Sequence, residues 1–140
     1  MLYEESFGTI ALKKQKDVFF TYLVKNKSGN HWGFPKGRAN ISETQKEAAL
    51  RELNEETNLK FLKFLSEKPL IEQYTFERDS KKTAKKVYYY PILVEGEGQI
   101  TSDEISDGRW VELSKAKDLI TFAASKEIAN QVEIFVQNLQ

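Results

Sequence analysis

Two runs near the start of the chain, FGTIALKK at 7–14 and DVFFTYLVK at 17–25, are rich in β-branched and aromatic residues. Each reads as a strand, and KQK at 14–16 reads as the hairpin turn between them. The next stretch, NKSGNHWGFPKGRAN at 26–40, is dense in Gly, Asn and Pro and reads as loop. Ser42 is then expected to cap a helix, with Gln45 three residues on completing a capping box. That helix runs to Thr57 with Ala48, Ala49 and Leu53 as its apolar stripe, and Asn58 suits the left-handed position that ends it. PLIEQYTFER and KKVYYYPILVE read as strands joined by the basic loop DSKKTAK, and TSDEISD is a polar loop before a short strand GRWVEL. Ser114 is expected to cap a short helix, and AASKEIANQVEIFVQNL forms the last one. With no repeat or linker, the pattern predicts one layered α/β or α+β domain over residues 1–140.

Composition narrows the chemistry. The 140 residues are 40% hydrophobic, which suits a globular core. Twenty-one basic residues balance twenty-one acidic ones, so nothing global favours duplex nucleic acid or an anionic membrane. The absence of cysteine excludes disulfides, thiolate zinc sites and cysteine nucleophiles, and a single histidine, His31, excludes a multi-histidine metal site. The first residues lack the basic start and apolar run of a signal peptide, and no stretch is long and apolar enough to span a bilayer. The expectation is a soluble, cytoplasmic protein.

Between Gly37 and Leu59 stand five glutamates, and three of them, Glu52, Glu55 and Glu56, crowd one helical face. Like charges at such spacing cost a few tenths of a kcal/mol each, roughly, so the cluster is mildly destabilising by itself. Arg51, four residues before Glu55, relieves part of that repulsion on a solvated face. A divalent cation would relieve more: carboxylates without thiolates suit magnesium or manganese, held together with substrate phosphates. Lys36, in the loop before the helix, fits a phosphate partner.

The stretch runs Gly37, five residues, Glu43, seven residues, then Arg51-Glu52-Leu53-x-Glu55-Glu56-x-x-Leu59. This resembles the signature of the Nudix hydrolases, with Asn58 where a glycine is expected. The resemblance implies an αβα sandwich around a mixed sheet, and a Mg2+ (or Mn2+) site formed by Glu52, Glu55 and Glu56 with the Gly37 carbonyl. It also implies that Arg51 orients a carboxylate, and that water is the nucleophile, with a glutamate as base: Glu52, Glu55 or Glu104. HWGFPKG, KKVYYYP and DEISDGRWVEL further resemble the diadenosine tetraphosphate hydrolases that cut asymmetrically, giving ATP and AMP. In that group Glu104, six residues before Trp110, would join the metal site. His31, Lys36 and Lys85 would face phosphates, and Tyr89 would touch the nucleotide, either stacking on adenine or packing in the core. For the far base Phe135 is near but out of register. Alternatives are a pyrophosphohydrolase of RNA 5′ ends or nucleoside triphosphates, and a nucleotide-binding sensor, against which the intact acidic set counts. The expected partner is a small nucleotide, with no duplex nucleic acid and no membrane.

Overall fold

The computed structural model of the chain describes residues 1–139. Alternation with period two builds the sheet. Along β1 (Leu2–Gln15), Ile10 and Leu12 enter one buried cluster while Phe7 and Ala11 enter another on the opposite face. β2 (Val18–Asn26) pairs antiparallel with β1, and β7 (Lys81–Glu95) runs parallel to it from Leu2↔Thr83 to Leu12↔Leu93. β3 (His31–Gly33) extends the β2 edge, and β8 (Ile105–Glu112) also pairs with β2. β4 (Lys36–Gly37) lies against β1, while β5 (Lys60–Phe64) and β6 (Leu70–Arg78) pair with successive parts of β7. The result is an eight-stranded sheet, and it is mixed, as expected.

Helices cover both faces. α1 (Gln45–Thr57) buries Ala48, Ala49 and Leu53 against Phe7, Val24 and Ile92. On the other face α3 (Ala123–Gln137) buries Ile128, Ala129 and Val132 against Ile10, Leu23 and Val87, and the short α2 (Ala116–Leu119) adds Ala116. No helix among the described residues is long and apolar enough to cross a membrane.

Local details differ from the sequence reading in several places, and β5 has no counterpart in it. The β1–β2 turn is Lys16–Asp17 and the β6–β7 turn is Asp79–Ser80, all four residues with positive φ. Two-residue turns of this kind match strand twist, so β1 runs on to Gln15 and β7 begins at Lys81, inside the segments expected as turn and loop. The Gly- and Pro-rich segment 26–40 is not wholly loop: a 3-10 turn at Ser28–Asn30 precedes β3 and β4, because neighbouring edges supply partners that composition does not reveal. Ser42 is left-handed (φ 70) and cannot cap; Thr44 is extended and does, forming the capping box with Glu47. Ser114 lies inside a 3-10 turn, Leu113–Lys115, and caps nothing. Asn58 does end α1 in the left-handed region, at φ 56.

One close approach fixes β4. A Cβ on Gly8 would lie 2.3 Å from the Pro35 carbonyl oxygen and 2.9 Å from a Tyr89 ring carbon. Only glycine lets the 35–37 segment lie down on β1. Gly8→Ala is expected to cost about 1–3 kcal/mol as an overpacking change. Thermal denaturation should show a fall of roughly 4–12 °C, and an unchanged melting temperature would show that β4 is held otherwise.

Candidate active site

Arg51 organises the acidic helix. Its Nε donates to Glu43 at 2.8 Å, and its Nη2 donates to Glu43 at 3.1 Å and to the Arg38 carbonyl at 2.8 Å. Its Nη1 reaches Glu55 at 2.8 and 3.1 Å and Glu52 at 3.3 Å. One guanidinium therefore ties three carboxylates and the preceding loop together. Those carboxylates hold its pKa above the ordinary arginine range, and the guanidinium in turn holds Glu43 below the ordinary carboxylate range.

Glu56 is outside the reach of Arg51. It is 6% exposed, and its carboxyl meets that of Glu52 within hydrogen-bonding range. Burial, then repulsion by Glu52, pushes its pKa up to about 9. Glu52 is raised as well, chiefly by burial. With its own carboxyl buried and the half-buried Glu52 carboxyl beside it, Glu56 is held in its protonated form at pH 7, and the proton lies between the two groups. On its other side Glu52 lies against backbone: a Cβ on Gly37 would fall 1.8 Å from Glu52 Oε2. A side chain at 37 would make the Glu52 carboxylate swing away, so glycine leaves room for it where it stands.

Glu104 is exposed, yet near enough to add to the upward push on Glu56. The loop that carries it is tied to the end of α1, where Thr101 Oγ1 donates to the Glu55 carbonyl and the Gln99 amide to that of Thr57. Glu55 is exposed and paired with Arg51. Among the described residues no group of three or more acidic or histidine side chains is gathered in metal-binding geometry. The donor set still fits a hard divalent cation: clustered carboxylates, a backbone segment pressed against one of them, and a shared proton that a cation would displace.

Beside the glutamates lies a cavity of about 530 Å³. His31, Lys36, Lys85 and Tyr89, all expected on the substrate side, stand together on its wall. Lys36 is the link, because it is adjacent to Gly37 and its charge also acts on Glu56, Glu72 and Lys85. His31 is half-buried, with Nδ1 lacking a partner among the described residues and its ring 4.9 Å from that of Phe122. Burial lowers its pKa, so it stands neutral at pH 7. Lys85 is buried and its pKa is lowered by that burial.

Tyr89 resolves toward the core. Its ring is 0% exposed and packs edge-on against Phe34 at 5.5 Å, so no face is open for a base to stack on. Tyr88 and Tyr90 do lie on the opposite face. Phe135 is partly buried against the α3-side cluster and does not line the cavity. Phe122, half exposed on the cavity wall, is an aromatic that sequence reading missed. Glu72 was missed too: it is buried on the wall, accepts from Ser125 Oγ at 2.6 Å, and has its pKa raised by burial. Its signal lies in the strand period, which puts Glu72 on the same face as Leu70, Tyr74 and Phe76.

The family model for the NUDIX domain matches residues 2–131, and the chain belongs to the Nudix family. Hydrolases of this family act on pyrophosphate bonds and generally use divalent metal ions. An RNA pyrophosphohydrolase of a Nitratiruptor species is 29% identical over 134 residues, covering 86% of this chain and 84% of that one. A Mycobacterium tuberculosis protein carrying the mutator name MutT4 is 26% identical over 111 residues, 78% of this chain; the match spans only 44% of that relative's length. The Ap4A hydrolase of Caenorhabditis elegans, in a binary complex, superposes with a TM-score of 0.72 at 21% identity, covering 96% of this chain and 98% of that one.

The shared proton makes a pH prediction. Between an ordinary carboxylate value near 4.5 and about 9, folded Glu56 keeps its proton while unfolded Glu56 has lost it. The folded state then binds more protons at this site, so Glu56's contribution to the stability of the metal-free chain falls as pH rises through that window. Each tenfold difference in proton affinity is worth about 1.4 kcal/mol, so the loss is on the order of a few kcal/mol. Denaturant unfolding at pH 5, 7 and 9 with a chelator present should show this slope in the native chain and a flatter one in Glu56→Gln. Parallel slopes in the two would remove Glu56 as the cause.

Proposed function

We propose that residues 1–140 act as one Nudix domain that hydrolyses dinucleoside polyphosphates, with diadenosine tetraphosphate yielding ATP and AMP. The observation that carries this reading is the juxtaposition across Lys36–Gly37: glutamates on one side, and on the other a cavity with cations and aromatics. The cavity is within the size range of nucleotide sites, and Trp32 and Phe122 offer apolar surface for a nucleoside. Lys36 and Lys85 suit its phosphates. The likeness in fold to the C. elegans Ap4A hydrolase supports the substrate class.

In this reading Glu52 and Glu56 would hold a magnesium or manganese ion, helped by Glu55, Glu104 and the Gly37 carbonyl. When bound, the cation supplies the positive charge that lets a polyphosphate approach the glutamates and lowers the pKa of the attacking water. Arg51 keeps Glu52 and Glu55 in place through the cycle. Water attacks one phosphorus, one phosphoanhydride P–O bond breaks, and a glutamate (Glu52, Glu55 or Glu104) receives the water's proton. Lys36 and Lys85 offset charge gathering on the leaving phosphates. Holding the nucleoside at a set distance from the glutamates selects which phosphorus is attacked.

The similarity to the Nitratiruptor RNA pyrophosphohydrolase favours a second reading, release of pyrophosphate from triphosphorylated RNA ends. A single-stranded end needs little basic surface, which the neutral net charge allows.

Reaction in heavy-oxygen water followed by chromatography separates the two. Diadenosine tetraphosphate should give ATP and AMP with label in one product only; two ADP would exclude asymmetric cutting. Rapid release of pyrophosphate from RNA without cleavage of the dinucleotide would establish the second reading. Glu56→Gln should lower kcat by orders of magnitude while the chain stays folded, and Glu→Gln at positions 52, 55 and 104 should rank the bases by kcat. Full activity in Glu56→Gln would remove it from the site.

A further inference from the structure

At the edge of the cavity one carboxylate is surrounded by three cations from three different strands or loops. Glu4, on β1, meets Arg38 at 2.9 Å, Arg78 at 2.9 Å and Lys85 at 3.5 Å. The local balance is strongly positive. Lys85 is the telling member: its side chain is 9% exposed, and among the described residues its three donors share one long contact, to Glu4. A buried ammonium so poorly satisfied is arranged for a better acceptor. The two arginines are more than half exposed, so their pairs with Glu4 are weak and easily exchanged.

The cluster also lies in line with the glutamates. Arg78 and Lys85 line the main cavity with Lys36, and Glu4 and Lys85 border a neighbouring depression of about 740 Å³. Arg38 gives its side chain to Glu4 and its carbonyl to Arg51, and Gly37, just before it, lies against Glu52. An anion on Arg38 is therefore one residue away from the acidic site along the same backbone.

We propose that Arg38, Arg78 and Lys85 form a subsite for the phosphate chain in which the Glu4 carboxylate stands in for phosphate until it is displaced. The inference rests on the reading of the cavity as one that takes phosphoanhydrides, and it deepens that reading by naming what the substrate must exchange with. Glu4 then sets a threshold. A single phosphate offers little more than the carboxylate it replaces, whereas a chain of phosphates reaches all three cations at once. The subsite discriminates by the number of phosphates, independently of the nucleoside.

The test is calorimetric titration of inorganic tripolyphosphate, and of pyrophosphate, into the full chain with a chelator present. Removing the competing charge in Glu4→Gln should tighten tripolyphosphate binding by about two- to fivefold, the worth of one exposed ion pair. The gain should be smaller for pyrophosphate. Arg78→Gln should weaken tripolyphosphate binding and shrink the gain that Glu4→Gln brings. Glu4→Asp, with its charge kept but its reach shortened, should lie between the native chain and Glu4→Gln, and it serves if Glu4→Gln fails to fold. Unchanged or weaker affinity in the Glu4 variants, or undiminished affinity in Arg78→Gln, overturns the proposal. Because the readout is binding, a chain that binds tripolyphosphate as described yet hydrolyses no phosphoanhydride would refute the function proposed above and not this subsite. Turnover without the affinity changes would do the reverse.

Discussion

Among the described residues Arg51 carries the only cation hydrogen-bonded to the acidic face of α1, and that face holds more carboxylates than one guanidinium can neutralise. It pairs with Glu43, Glu52 and Glu55 and anchors the loop through the Arg38 carbonyl. Glu56 is left over, buried against Glu52. Like charges in a poorly solvated place must be protonated, moved apart or bridged by a cation. Arg51 keeps Glu52 beside Glu56 through a 3.3 Å contact, with Gly37 against its other side. A proton on Glu56 relieves that repulsion in the metal-free chain, and a cation is what can replace it.

The rest of the fold serves that constraint. Gly8 lets the 35–37 segment lie on β1, and that segment presses Gly37 against Glu52 while presenting Lys36 to the cavity. The parallel pairing of β1 with β7 then brings Glu4 opposite Lys85 and Gly8 opposite Tyr89, so the cavity wall and the acidic site share one sheet. Overpacking at Gly8 would disturb both. The lock on β4 is steric; the lock on α1 is electrostatic.

Much of this was legible in the chain. The spacing around Arg51 announced the acidic face, Asn58 announced the helix end, and the strand alternation placed Tyr88 and Tyr90 opposite Tyr89. His31, Lys36, Lys85 and Tyr89 do meet on one wall. What failed was whatever depends on partners distant in sequence. Ser42 has the right chemistry for a cap and the wrong backbone, which only the loop's path decides. Alternation puts Tyr89 on the face opposite Tyr88 and Tyr90 but does not say that Phe34 closes over it. Glu72, Ser125 and Phe122 come to the cavity from separate segments, and Glu4 gathers Arg38, Arg78 and Lys85 across gaps that no local pattern reports.

The central claim is that Glu52 and Glu56 share a proton which a divalent cation displaces. It is tested most directly by titrating magnesium or manganese into the metal-free chain at pH 7 in buffers of different ionisation enthalpy. The difference in heat between buffers counts the protons released on binding. Release of about one proton per chain, lost in Glu56→Gln, is the result this account predicts. Cation binding with no proton released would mean that both carboxylates are already ionised, and would contradict it.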